Sequence, residues 1–299
     1  MRGFTFLRTA RWGALLWMAL MGAWQPQWQH DLWARSLLLL AVWVWMPLAF
    51  DLLGYPARYA PYSALAAVSI TAAFLLPSGW VAALLTLPWC AVLLWVFLRG
   101  AAGIRGAKGP AAWAKRAAQL LVIVGGIWAL ADRAGVPLMG FDPAIVLLTA
   151  VHFHYAGFIF PLLAGGLYEI WPNRTLKWAI IGIIVAVPLT AAGITASRWY
   201  GHFVLETISG SLVAASGMVV AAGYLRQSRG NWWFAIAGGA LLFSMVLAWG
   251  YALRPYYPMD WLTIPSMRAW HGTANALLVA GGGLLGHISR AYSPAIRYR

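Results

Sequence analysis

Two histidines, His152 and His154, stand in the middle of the apolar stretch 147–158, and two further pairs share a four-residue spacing: His202 with Glu206, and His271 with Asn275. Imidazole titrates near neutral pH and is a common metal ligand. A carboxylate four residues from an imidazole lies on the same face of a helix, where it can orient the ring or hold its proton. Arg198 lies one further turn from Glu206, placed to pair with it or to meet an anion, and His152 and Tyr155 are three residues apart. His202, Glu206, His271 and Asn275 are therefore the candidate catalytic groups, and Arg198, Tyr155 and Trp270 the candidate substrate contacts. His152, His154, His202 and His271 are candidate ligands of a metal ion or haem. A two-residue step along a helix turns through about 200°. His152 and His154 therefore point to nearly opposite sides, and in an undistorted helix only one of them can face a shared interior. The bland alternative is that the histidines bridge helices by hydrogen bonds, and that Arg198 and Arg268 are interfacial anchors.

The elements that position these groups must lie in a bilayer. Of 299 residues, 62% are hydrophobic and 9% charged, with seven acidic residues in all, and the mean hydropathy is +0.72. A soluble domain carries roughly 25% charged residues, so seven carboxylates cannot solvate a surface of this size. The 20 Trp and 12 Tyr suit the membrane–water interface. A helix crosses the hydrocarbon with roughly 20 apolar residues, and ten such runs are found, near 12–24, 34–53, 61–77, 80–98, 116–131, 143–165, 178–196, 202–225, 232–253 and 267–287. Backbone groups in lipid must be satisfied within each segment, which leaves helices or a closed barrel. Continuous apolar runs without dyad alternation select helices. The expected fold is an all-α polytopic bundle of about ten transmembrane helices. Residues 1–110 would hold helices 1–4 and a basic loop, and residues 111–299 helices 5–10 with the His/Glu/Asn groups.

Lysine and arginine placement gives the orientation. With the N-terminus inside, 16 of the 21 basic residues fall on the cytoplasmic side, including the loop 99–116. Both termini are then cytoplasmic, and the polar groups fall in the outer half of helices 6, 8 and 10. The net charge of +14 sits at segment ends, which argues for membrane orientation and against nucleic acid as a partner. The first run resembles a signal peptide in charge, but no small-residue cleavage site follows, and it reads as a membrane helix. Pro47, Pro88, Pro161 and Pro188 fall inside spans and can kink them. The stretches around Pro47 and Pro161 lie 114 residues apart and run in the same direction, a possible trace of duplication.

Among the remaining polar residues, Asp142 before Pro143 reads as a helix N-cap with proline at N1. Asp132 and Asp260 read as solvated or capping, Asp51 and Glu169 as partners for inner basic residues, and His30 and His287 as incidental. Asn173-Arg174-Thr175 matches a glycosylation sequon on the cytoplasmic side and is discounted. Cys90 reads as a packed thiol, and a single cysteine excludes an internal disulfide and a multi-thiolate zinc site. Gly281-Gly282-Gly283 reads as a close-packing segment. Phosphate-cradling loops, His-Glu-x-x-His, Cys-x-x-Cys-His and Gly-x-Ser-x-Gly are absent from the sequence.

His152-Phe153-His154-Tyr155-Ala156-Gly157-Phe158 with Pro161-Leu162, together with Trp270-His271-Gly272-Thr273-Ala274-Asn275-Ala276, resembles the YndJ-like bacterial integral membrane proteins over roughly residues 143–285. The resemblance implies that His152, His154, His271 and Asn275 are functional positions and supplies no reaction. Three readings follow. The leading one is a membrane-embedded enzyme or metal/haem site acting on a lipid-like or small substrate from the outer leaflet, favoured over alternating access by the one-sided location of the polar groups. Another is a proton-coupled transporter, against which stands the scarcity of polar groups in the inner half of the same helices. The third is a structural subunit of a membrane complex, in contact with lipid and partner helices. The orientation is tested with Cys90 replaced by Ala and single cysteines placed at Gly106 or His202. In intact cells an impermeant maleimide is expected to label position 202 and to reach 106 only after permeabilisation.

Overall fold

The computed structural model describes residues 5–28 and 30–291. Ten long helices run through them: α1 Phe6–Trp24, α2 Asp31–Leu52, α3 Ala60–Leu75, α4 Trp80–Ala102, α5 Pro110–Ala134, α6 Pro143–Ile170, α7 Arg174–Tyr200, α8 Val204–Arg226, α9 Trp232–Leu253 and α10, residues 264–291. Among the described residues there is no strand. Each expected span coincides with one helix, and seven, α2 and α4 to α9, are long and apolar enough to cross a membrane. Local chemistry starts several of them. Asp142 Oδ1 accepts from the Ala144 amide at 2.8 Å with Pro143 next in the chain. Asn173 caps α7 by accepting from the Leu176 amide, so the sequon asparagine is spent as a helix cap.

The chain folds as two compact units, Met1–Ala107 with Arg116–Ile159, and Lys108–Lys115 with Phe160–Arg299. In the first unit, long polar side chains reach across to helix carbonyls or hydroxyls. Trp17 Nε1 donates to the Ser36 carbonyl at 2.7 Å, Trp43 Nε1 to Thr71 Oγ1 at 2.9 Å, and Tyr155 Oη to the Leu37 carbonyl at 2.8 Å. Two helices of this unit carry a π turn, Ala41–Trp45 in α2 and Tyr155–Ile159 in α6. Each ends two residues before its proline, Pro47 or Pro161. Proline has no N–H and its ring crowds the carbonyl four residues back, which for Pro47 is that of Trp43. The α1 backbone closes over it at Gly13, where any side chain would meet that oxygen at 2.3 Å. The 114-residue offset between the prolines is also the offset between the two π turns.

Arg133 decides one end of this unit. Its Nε pairs with Asp132 Oδ2 at 2.7 Å. Its Nη1 donates to the Ala73 and Leu76 carbonyls at 3.4 and 3.3 Å. The guanidinium lies 4.4 Å from the Phe74 ring centre, and the Arg133 carbonyl accepts from Gly79 at 2.7 Å. The last carbonyls of a helix have no intrahelical donor, and a cation there is favoured by the helix dipole. Arg133 supplies both to α3 and is only 1% exposed. Asp132 is thus a buried ion-pair partner and not a solvated loop residue. The pair is between sequence neighbours, which do not share a helix face, so helix-face spacing gave no sign of it.

In the second unit, helices approach closely wherever small residues allow it. Gly193 on α7 meets the backbone of Glu206 and Leu205 on α8, and Gly210 meets Ala252 on α9. Gly282 faces the Trp233 carbonyl and Ala237, and Gly283 faces Leu163, so the triple glycine does serve close packing. Lys115 and Glu169 pair at 2.6 Å on a partly exposed edge.

Replacing Arg133 with Ala removes the cation bonded to the buried Asp132 carboxylate and the donor to the Ala73 and Leu76 carbonyls. The expected loss is about 3–5 kcal/mol of stability, read as a lowered unfolding midpoint in detergent. Arg58→Ala at an exposed position is expected to shift it by less than about 0.5 kcal/mol.

Candidate functional site

The residues singled out by spacing fall at several places. In the first unit, α6 carries His152, His154 and Tyr155. His154 is fully buried. Its Nδ1 faces the Ala150 carbonyl at 2.8 Å, and its Nε2 faces Trp89 Nε1 at 3.1 Å. A carbonyl only accepts and an indole N–H only donates. The proton is therefore on Nδ1, Nε2 offers its lone pair to Trp89, and both ring nitrogens are occupied. The Trp89 and His154 rings are stacked at 13°. Gly125 on α5 leaves the space for the imidazole, since a side chain there would meet Nδ1 at 2.7 Å. His152 is exposed, with Nδ1 at 2.9 Å from the Leu148 carbonyl. The opposite facing of the two histidines holds, and His154 is the inward one. Tyr155 is buried with its hydroxyl on the Leu37 carbonyl, so it does not act with His152.

The second unit holds two further groups of candidates. Glu206, 4% exposed in the first turn of α8, accepts from Arg254 Nη2 at 2.7 Å and from Ser197 Oγ at 2.6 Å. Arg254 lies at the end of α9, its guanidinium 3.8 Å from the Tyr251 ring centre. His202 is not a member of this group. The chain is non-helical at 201–203 and α8 begins at Val204, so the four-residue spacing does not place His202 and Glu206 on one helix face. Gly201, in the left-handed conformation at φ 70°, ends α7 and forces that break. Arg198 is exposed in the last turn of α7, and the arginine that pairs with Glu206 is Arg254.

His271 and Asn275 do meet, on α10, where two consecutive π turns run through Arg268–Gly272 and Ala274–Val279. Asn275 Nδ2 donates to the His271 carbonyl at 2.9 Å, lies 3.2 Å from His271 Nε2, and donates to Ser244 Oγ on α9. His271 Nδ1 stands 3.0 Å from the Ser244 carbonyl and 2.9 Å from Ser244 Oγ. The carbonyl fixes the proton on Nδ1, so Nε2 is unprotonated and faces the Asn275 amide, whose two N–H groups are directed at the His271 carbonyl and Ser244 Oγ. Trp270, the neighbouring candidate, is exposed. Ser244 is ten residues from Arg254 along α9, about 15 Å, so the His271 group is separate from the Glu206 pair.

His287, expected to be incidental, belongs to a third polar group. Tyr224 on α8 donates to the Leu163 carbonyl at 3.0 Å, and its oxygen lies 2.9 Å from His287 Nε2. With the hydroxyl proton on Leu163, Nε2–H donates to Tyr224. Gly166 packs on the His287 ring, leaving no room for a side chain there. Ser244, Ser197, Arg254, Tyr224 and Trp89 were all missed by spacing, because each meets its partner across helices. The four proposed metal ligands are not assembled: among the described residues no three His, Cys, Asp or Glu come together in a group able to hold a metal ion.

The comparisons with known proteins bear on the same residues. The model of the YndJ-like protein family matches residues 36–279. The chain belongs to the YndJ-like family. The match begins in α2, so the likeness extends well into the first half of the chain and is not confined to 143–285. A similar protein is the uncharacterized membrane protein YndJ of Bacillus subtilis (strain 168), 30% identical over 164 residues, which are 54% of this chain and 30% of that protein. The chain therefore matches under a third of that relative's length. No solved structure matches. The protein is a multi-span membrane protein of this family.

The geometry separates histidines that spacing treated alike. His154→Phe removes both partners' bonds in a packed core and is expected to cost about 1–3 kcal/mol. His202→Phe in the exposed turn is expected to stay within about 0.5 kcal/mol. A double-mutant cycle of Ser244→Ala with Asn275→Ala is expected to give a coupling of about 0.6–1.7 kcal/mol. Equal losses for the two histidine variants, or no coupling in the cycle, would contradict the arrangement described.

Proposed function

We propose that the second unit is a proton-coupled transport module of a bacterial cytoplasmic membrane, with both chain termini cytoplasmic and the 201–203 turn outside. The observation that carries this reading is the spread of protonatable groups over three depths of one unit. The Glu206–Arg254 pair stands at the 201–203 end, His271 with Asn275 and Ser244 near the middle, and His287 with Tyr224 toward the 227–231 end. His271 and His287 share α10 and lie 16 residues, about 24 Å, apart along its axis. Intramembrane His and Glu are costly and typical of proton relays. The sequence alone argued against transport because the inner half of these helices looked apolar, and the Tyr224–His287 group answers that objection. The π turns around His271 add support, since such turns interrupt the regular helix ladder and are frequent at functional sites. In this reading Glu206, His271, Asn275 and His287 carry or position the proton. His202 and Arg198 flank the outer mouth.

A membrane enzyme acting on a lipid-like substrate is the second reading, favoured by the exposure of Trp270 beside His271. Proton flux into proteoliposomes under an imposed potassium diffusion potential, followed with a trapped pH dye, tests the choice. Wild-type protein is expected to carry protons, with Glu206→Gln and His271→Gln reduced to the level of empty liposomes while both still purify as monodisperse protein. Flux in these variants equal to wild type would remove the proton relay. Lipid turnover without flux would favour the enzyme.

A further inference from the structure

Basic residues gather at the end of the first unit formed by the C-terminus of α4, the N-terminal part of α5 and the segment after α2, and three of the side chains there are held in place. Gln119 on α5, 2% exposed, accepts from Arg116 Nη1 at 2.8 Å and donates through Nε2 to Tyr55 Oη at 2.5 Å. Tyr55 is itself 9% exposed, and its ring is wedged edge-on against Trp95 at 4.7 Å. Its oxygen is used as an acceptor, and its own proton has no acceptor among the described residues. Arg99 and Arg116 both act electrostatically on that hydroxyl. Burial nevertheless pushes Tyr55 above the ordinary tyrosine range, so it stays a neutral O–H donor. The ion pairs among the described residues engage Lys115, Arg133 and Arg254, and none involves Arg99 or Arg116.

Arg116 is further fixed by Gly103. Its guanidinium lies where a side chain on residue 103 would be, with Cζ 2.4 Å from that position. Gly103 has an ordinary φ of −91°, so its smallness serves the arginine and not a backbone turn. Gly100 likewise admits Gln119, whose Cβ is 2.6 Å from the position a side chain would take. Two glycines on α4 and its end thus seat a Gln–Arg–Tyr chain whose open valences are all donors. Donors without acceptors, two guanidinium groups in no ion pair among the described residues and a preset planar fork suit a tetrahedral oxyanion.

We propose that Arg99, Arg116 and Tyr55 form a binding site for a phosphate group, either the headgroup of an anionic phospholipid or free phosphate. The site is independent of the proton-transport reading, because it uses the first unit alone. Gln119 positions Arg116 and Tyr55 and makes no contact with the ligand. A diffuse basic surface would attract anions through net charge, whereas this site depends on where Arg116 is held.

The test is native mass spectrometry of the full chain in detergent, titrated with phosphatidylglycerol, phosphatidylcholine or inorganic phosphate. The expected result is selective retention of phosphatidylglycerol, weakened about tenfold in Arg99→Gln/Arg116→Gln. Gly103→Val changes no charge but displaces the Arg116 guanidinium, and is expected to weaken binding to a similar degree in folded protein. Arg58→Gln/Arg105→Gln removes the same charge from exposed positions and is expected to leave binding within about twofold. Competition by inorganic phosphate would support the site with free phosphate as a ligand, and its failure would support the site with the lipid headgroup as the ligand. Full binding in Gly103→Val, or equal loss in the two double variants, would overturn the proposal.

Discussion

Inside hydrocarbon, a polar group that finds no partner within the protein finds none at all, and the arrangement of both units follows from that. Serine and threonine meet the demand locally: Ser36, Thr71, Thr86, Thr149 and Thr190 each donate to the carbonyl four residues back in their own helix. A hydroxyl whose proton is used in this way can still accept from another helix, as Thr71 does from Trp43. Tryptophan, tyrosine, arginine and histidine have longer reach and find acceptors on other helices. Those bonds, from Trp17, Trp43, Tyr155 and Arg133 in the first unit and from Tyr224, Asn275 and Arg254 in the second, define which helices neighbour one another.

The same demand explains the irregular turns. A proline within a span frees a carbonyl that lipid cannot satisfy. At Pro47 a π turn precedes the proline, and α1 packs at Gly13 against the Trp43 carbonyl. The matching turn before Pro161 begins at Tyr155, whose hydroxyl bonds the carbonyl of Leu37 on α2. Backbone irregularity and cross-helix hydrogen bonding therefore occur together, and the candidate residues of α6 and α10 lie within or beside such turns.

Polar groups in the second unit are distributed and not gathered. A gathered set of histidine and carboxylate would have suited a metal or an acid/base pair. Instead Glu206 is bound by Arg254, His271 by Ser244 and Asn275, and His287 by Tyr224. Each group is satisfied where it stands, so each charge or proton has a local host.

Composition and apolar run length determined that the chain is a bundle of membrane helices, because the bilayer sets the length and polarity of any segment that crosses it. The Asp142–Pro143 cap, the inequivalence of His152 and His154 and the coupling of His271 with Asn275 were also legible, since all depend on spacing within one helix. The sequence motifs were enough to suggest the family. What only the tertiary structure decided is every partner across helices: Trp89 for His154, Ser244 for His271, Arg254 for Glu206, Tyr224 for His287. It also broke the expected His202–Glu206 pair, because a left-handed Gly201 ends α7 and delays the start of α8. Helical periodicity fixes which residues share a face, and it carries no information on which faces meet. That is settled by close approach at small residues and by the satisfaction of buried polar groups.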